Sequence, residues 1–398
     1  MRLRNFSRLM LFAFVIMCVA PSCVKEGPMG LPGENGTNGT NGTDGADGTT
    51  ACAVCHKSTI VTEKQGQMHV AKHLTGEAWF EGSRNSCAPC HSTNGYLDVI
   101  ANNPPITAYT TKSATPSPNP ISCRACHKVH ETNTATDWAL TSTNEVNLVV
   151  DQVNAKKVNL EPSSNLCIQC HQSRPIVSPD LTKPSDAYTL MTNYRWGGHY
   201  GTQGTIFAGK GKGSFEIAGT EPYENTKAHN GELAVAITGG TLKASCSECH
   251  MATMSAESGG HTFLARSEGG SINYNGCAAC HYTGGLGQTS AVLASKTTAL
   301  QAEITDLIKQ LGAKLDAKSY LDKDPGHEFI PGTGWNGYIN RFDASLNPDG
   351  VPTANWKPTN VEAAAIANFQ FVLRDKSLGI HNPTYVRALL KNSIAALK

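Results

Sequence analysis

Cys123-Arg-Ala-Cys126-His127 and Cys167-Ile-Gln-Cys170-His171 share one spacing, two cysteines three positions apart with a histidine directly after the second. The same spacing recurs in Cys52-Ala-Val-Cys55-His56, Cys87-Ala-Pro-Cys90-His91, Cys246-Ser-Glu-Cys249-His250 and Cys277-Ala-Ala-Cys280-His281. Of the 14 cysteines in the chain, only Cys18 and Cys23, near the amino terminus, lie outside these six stretches. At the chain's own cysteine and histidine frequencies, chance would produce on the order of 0.02 such motifs. The pattern is therefore a chemical device, repeated.

Two thiols three residues apart occupy one helical turn, and the next residue is carried to the same side. That arrangement suits thioether attachment of one porphyrin through its two vinyl groups, with the adjacent imidazole bound to the iron. Structural zinc would call for paired C-x-x-C half-sites with no obligatory histidine, and a thioredoxin-like redox pair would not occur six times. The expected cofactors are six covalently bound haem c groups. Their attachment points are the twelve motif cysteines, Cys52, Cys55, Cys87, Cys90, Cys123, Cys126, Cys167, Cys170, Cys246, Cys249, Cys277 and Cys280. Their proximal iron ligands are His56, His91, His127, His171, His250 and His281.

The composition agrees. The 398 residues carry 33 Lys+Arg against 32 Asp+Glu, a net charge of +1, which excludes nucleic-acid binding by a basic surface. Only 7% of the residues are aromatic, so porphyrins are expected to supply much of the apolar interior and the haem-free chain is expected to be largely unfolded. The expected fold class is mainly α with much irregular backbone, a haem-packed core, a few short strands near 146–150 and 233–237, and long helices at the carboxy terminus.

Arg2, Arg4 and Arg8 precede an apolar run over 9–20 that is too short to span a bilayer, and the pattern reads as an export signal over residues 1–22. Cys23 follows in a lipobox-like context and is the expected lipidation site, making the protein an exported lipoprotein of the outer membrane, facing the periplasm or the cell surface. Glycine at every third position from Gly27 to Gly48 gives a collagen-like Gly-X-Y tether within 23–50. Residues 51–290 form the expected hexahaem domain. Residues 291–398 form a helical region, in which Leu293, Leu300, Ile304, Leu307, Leu311 and Leu315 make one apolar stripe. Thr359-Asn-Val-Glu362 is a capping box for a second helix, and Asn382-Pro383 opens a third.

Eight histidines lie outside the motifs: His69, His73, His130, His199, His229, His261, His327 and His381. They suffice to give every iron a second imidazole. An iron with both axial positions filled has no place for substrate and passes electrons. His69 and His73 stand four apart on one expected helical stripe, and His69 is preferred. His327, in Asp324-Pro-Gly-His327-Glu, reads as an ordinary loop histidine.

Several segments resemble a family, the multihaem cytochromes c related to ammonia-forming nitrite reductases and their larger haem-rich relatives. They are Gly95-Tyr96 after the second motif, Trp196-Gly-Gly-His199-Tyr-Gly-Thr-Gln203, Thr226-Lys-Ala-His229, Gly259-Gly-His261-Thr-Phe263 and Asp375-Lys-Ser-Leu-Gly-Ile-His381-Asn-Pro383. The resemblance implies distal-ligand roles for His199, His229, His261 and His381, with His69 and His130 completing six. It also implies that the helices after the last motif mediate dimerisation. The chain departs from the nitrite reductases in lacking a C-x-x-C-K motif, which favours electron transfer with no catalytic residue. The competing expectation is a reductase of nitrite, hydroxylamine or a sulfur oxyanion at one iron with an open axial position. Expected partners are redox proteins as donor and acceptor, the membrane through the lipid anchor, and further copies in a homodimer or filament.

Overall fold

The computed structural model describes residues 55–398 apart from 57–58, 106–107, 113–117, 152–153, 155, 190–195, 226–228, 230–233, 238–239, 283–285 and 340–356. The signal, lipidation and tether expectations, with Cys23 and Cys52, lie outside the described residues. No helix among the described residues is long and apolar enough to cross a membrane.

The amino-terminal half consists of short pieces: α1 (Thr59–Met68), α2 (Lys72–Thr75), α3 (Ala88–His91), α4 (Thr93–Asn102), α5 (Cys123–Cys126), α6 (Pro162–Ile168) and α7 (Gln203–Ala208). Helices α8 (Cys246–His250) and α9 (Asn275–His281) carry the last two motifs. The motif spacing dictates these single turns. The histidine N–H donates back to the first cysteine carbonyl in His91→Cys87 (3.1 Å), His127→Cys123 (2.8 Å) and His171→Cys167 (2.9 Å). Each bond closes one turn, which sets both thiols on the same side.

Three long helices follow: α10 (Ser290–Ala317), α11 (Asn360–Asp375) and α12 (Pro383–Ala396). The expected caps form. Thr359 Oγ1 accepts from Glu362 N while Glu362 Oε2 accepts from Thr359 N, and Asn382 Oδ1 accepts from Tyr385 N. The α10 stripe is buried through Leu293, Ile304, Leu307, Leu311 and Leu315, with Leu300 half-buried against the core.

Helix α11 is buried from Ala363 to Asp375 and touches α7, α10 and α12. Ala363, Ala364, Ala365 and Ala367 let these neighbours approach closely. Two of its interior amides find partners: Asn368 Nδ2 donates to Phe215 O and Ser393 Oγ, and Gln370 Nε2 donates to Trp196 O and Gly337 O.

Three two-stranded antiparallel ribbons complete the fold. They are β1 (Val146–Leu148) with β2 (Lys156–Val158), β3 (Ala234–Ile237) with β4 (Gly240–Lys243), and β5 (Leu321–Lys323) with β6 (Trp335–Ile339). Sequence reasoning missed the third ribbon, whose signal was the run Trp335-Asn-Gly-Tyr-Ile339.

The described residues belong to one compact unit, but its apolar packing is lopsided. One large core joins Val146, Leu148, Val150, Ile168, Ile206, Phe215 and Ile217 to α10, α11 and α12. Around the earlier motifs the buried apolar cluster is only Tyr96, Val99, Ala125 and Leu166. On the carboxy-terminal side the interior is thus filled by side chains. There α11 recruits the middle segment into a side-chain core. The motif-bearing side has little core of its own.

Candidate metal centres

Each of the six motif histidines faces a different second histidine. The ring centroids are 6.3 Å apart for His56–His130, 5.9 Å for His91–His199, 6.2 Å for His127–His261 and 5.9 Å for His171–His73. They are 6.1 Å apart for both His250–His381 and His281–His229. An imidazole nitrogen binds a transition metal at about 2.0–2.1 Å and lies roughly 1 Å from its ring centre, so two imidazoles on opposite sides of one metal have centroids about 6 Å apart. The pairs fit that span. Among the described residues no three His, Cys, Asp or Glu side chains converge as a closed zinc site would need.

Hydrogen bonds fix which nitrogen faces the gap. His91 Nδ1 lies 2.9 Å from Ala78 O, His127 Nδ1 2.7 Å from Trp138 O, His229 Nδ1 2.7 Å from Ile380 O and His250 Nδ1 2.9 Å from Phe263 O. His171 Nδ1 is 3.3 Å from Gln203 Oε1, and His381 Nδ1 is 2.5 Å from Asp375 Oδ1. A ring that donates through Nδ1 keeps its lone pair on Nε2. Burial pushes His73 and His250 down to about 4 and also lowers His91, His171, His229, His261 and His281. These rings are therefore neutral near pH 7. At His381 burial opposes a proton, but the Asp375 carboxylate outweighs it and the pKa is raised.

The surroundings suit a flat apolar group. None of the eleven described motif cysteines is in a disulfide. Large apolar side chains stand exposed beside the pairs: Trp138 has its ring 5.9 Å from that of His127, and Tyr200 has its ring 5.6 Å from that of His199. Phe80, stacked on Trp79, follows the Ala78 carbonyl that holds His91.

His69, the preferred partner for one iron, is exposed and faces no motif histidine; His73 stands opposite His171. The cause is local. Helix α1 stops at Met68 and α2 begins at Lys72, so the two residues do not share a continuous helix. The intervening Ala71 is fully buried, and the turn around it directs His73 inward. His327 is bonded to Asp324 and its side chain is 81% exposed.

The motifs also abut one another. Cys90 Sγ donates to Gln169 O and Cys170 Sγ to Pro89 O, at 3.8 and 3.6 Å, joining the second and fourth motifs. Ser163 and Ser247 share a 2.7 Å hydrogen bond and Cys246 N donates to Ser164 Oγ, joining the fourth and fifth. Gly276 lets α9 meet α8, since a Cβ there would lie 2.9 Å from Cys249 Cα. His127 and His130 tie the third pair to the first through the chain itself. Phe263 serves three pairs at once. Its carbonyl accepts from His250, its ring meets those of His73 and His261, and its left-handed backbone (φ 58°) makes this geometry accessible. Phe263 and Gly276 were missed as contributors because neither carries metal-binding chemistry.

No protein-family model matches the chain. It is 24% identical over 346 residues to the c-type polyhaem cytochrome OmcB of two Geobacter sulfurreducens strains. The match covers 79% of this chain and 44% of that protein, so the chain spans less than half the length of these relatives. Among solved structures it is similar to the outer cell wall cytochrome OcwA, with a TM-score of 0.45 and 16% identity over 84% of this chain and 50% of that one. The motifs and the likeness to a polyhaem cytochrome together support a multihaem c-type cytochrome.

Proposed function

We propose that this chain binds six haem c groups, each between the two imidazoles of one pair, and carries electrons along them at the cell envelope. The observation that carries the reading is the one-to-one matching of six motif histidines with six others at 5.9–6.3 Å. Haem iron supplies reversible one-electron exchange when bound. The chain's own residues do the rest. The twelve cysteines fix position, and Nδ1 partners such as Ala78, Trp138 and Gln203 orient the rings. Contacts between motifs keep the six sites contiguous. A reductase would need an iron with a single imidazole, and every motif histidine here has a partner.

Export by residues 1–22, anchoring through Cys23 and exchange with separate donor and acceptor proteins belong to the same proposal. Anchoring is checked by Cys23→Ala, which should release the protein from the membrane fraction. The central test is haem quantification and low-temperature electron paramagnetic resonance of the oxidised holoprotein, followed by carbon monoxide addition to the reduced form. Six haems per chain, all low-spin and indifferent to carbon monoxide, are expected. A high-spin signal worth one haem would overturn the electron-carrier reading and direct attention to nitrite, hydroxylamine and sulfite.

A further inference from the structure

The pairs differ in what stands behind their rings. Five of the six rings with an Nδ1 partner described above meet a neutral oxygen: the carbonyls of Ala78, Trp138, Ile380 and Phe263, and the Gln203 amide. His381 alone among them meets a carboxylate, with Asp375 Oδ1 at 2.5 Å. The Asp375 side chain has no solvent exposure. Its other oxygen accepts from Ser377 Oγ, and Ser377 Oγ in turn accepts from His381 N at 3.2 Å. The turn from the end of α11 to His381 thus holds ring and carboxylate in one register.

No Lys or Arg forms an ion pair with Asp375 among the described residues. Its neighbour Arg374 donates to Gly337 O and lies between the Tyr200 and Tyr338 rings. The negative charge behind His381 is therefore shared only with that imidazole and a hydroxyl. A carboxylate that accepts from Nδ1–H draws the proton outward and makes Nε2 a stronger donor to a metal. A buried negative charge nearby also favours the more positive oxidation state of that metal, and weakly screened surroundings increase the effect. Both influences have the same sign.

We infer that Asp375, acting through His381, lowers the potential of the haem held by His250 and His381. The inference rests on the six-haem reading above, and Asp375 is a positioning residue within it. The fifth motif abuts both the fourth and the sixth. The centre that Asp375 lowers accordingly lies inside the array.

The test is a spectroelectrochemical titration of the full-length holoprotein beside Asp375→Asn and Asp375→Glu. In Asp375→Asn one one-electron step should move positive by at least tenfold in its equilibrium constant, about 59 mV for a one-electron couple, with the other five unmoved. Asp375→Glu should recover part of the shift. Ser377→Ala supplies a check that leaves the carboxylate in place: with one competing donor removed, the same step should move further negative while every iron stays low-spin. Superimposable Asp375→Asn and wild-type titrations, or a shift spread over all steps, would overturn the inference. So would a Ser377→Ala step that fails to move negative, which remains decisive if Asp375→Asn loses the His381 ligand. Failure of the six-haem reading shows itself separately, as missing haems or a high-spin iron in the wild-type protein.

Discussion

His73 offers the sharpest trial of the pairing, because the sequence favours His69 and the structure brings in its neighbour instead. His73→Ala removes one of twelve paired imidazoles and leaves five pairs intact. One sixth of the iron should therefore pass from low-spin to high-spin, and the reduced protein should gain one carbon monoxide site per chain. The identity of the lost signal is also fixed. The His73 and His171 ring planes cross at 80°, against 30–67° in the other pairs. When axial planes cross, neither iron dπ orbital facing the rings is favoured, and the low-spin spectrum becomes broad and strongly anisotropic. The component at lowest field should be the one that disappears. His69→Ala, at an exposed position, should leave spectrum and carbon monoxide binding unchanged. Loss of one low-spin haem in the His69 variant, or its retention in the His73 variant, would refute the pairing.

Other consequences concern the scaffold. Gly198→Ala would bring a Cβ within 2.6 Å of Phe371, which is fully buried, so the loop carrying His199 must shift. The expected outcome is a cost of about 1–3 kcal/mol together with one high-spin haem, read by denaturant titration and paramagnetic resonance. Arg387 donates through Nε and Nη2 to the two carboxylate oxygens of Glu303, each at 2.8 Å, and joins α10 to α12. This bonding holds the Glu303 pKa below its ordinary value of 4.5. A lowered folded pKa contributes stability above the unfolded value and loses it as pH falls through the folded one. The stabilities of wild type and Arg387→Met, read by denaturant titration, should thus differ at pH 7, by about 1 kcal/mol or less, and converge as pH falls through the folded Glu303 pKa, below 4.5. Protein made without the haem-attachment machinery should be cleaved by protease among the described residues of 59–140 and 246–282, while the described residues of the segments sharing the large core, 146–217 and 290–397, are protected. Uniform cleavage would show that the side-chain core cannot form alone.

The motif geometry was legible because it is local. A C-x-x-C-H motif closes its own turn through a bond from the histidine N–H to the first cysteine carbonyl, and no distant residue is needed. The same holds for the Thr359–Glu362 box, the Asn382 cap and the α10 stripe, whose periodicity names the face that must be buried. The stripe could not name what covers it. Helix α11, buried nearly all round, shows that its alanines serve close packing, a role their helix propensity alone does not reveal.

The second imidazoles are a different case. His171 meets His73 and His127 meets His261 across long stretches of chain, so only the folded arrangement selects among eight candidates. Periodicity misled at His69 because it presumed a continuous helix where the chain turns at Ala71. Asp375 lies within a segment already quoted from the sequence, yet nothing there states that its carboxylate is buried against one ring. The sequence alone determined six C-x-x-C-H motifs, whose geometry is local. Tertiary structure decided which imidazole faces each motif histidine and which pair has a carboxylate buried behind it, because distance and burial arise only when remote segments meet.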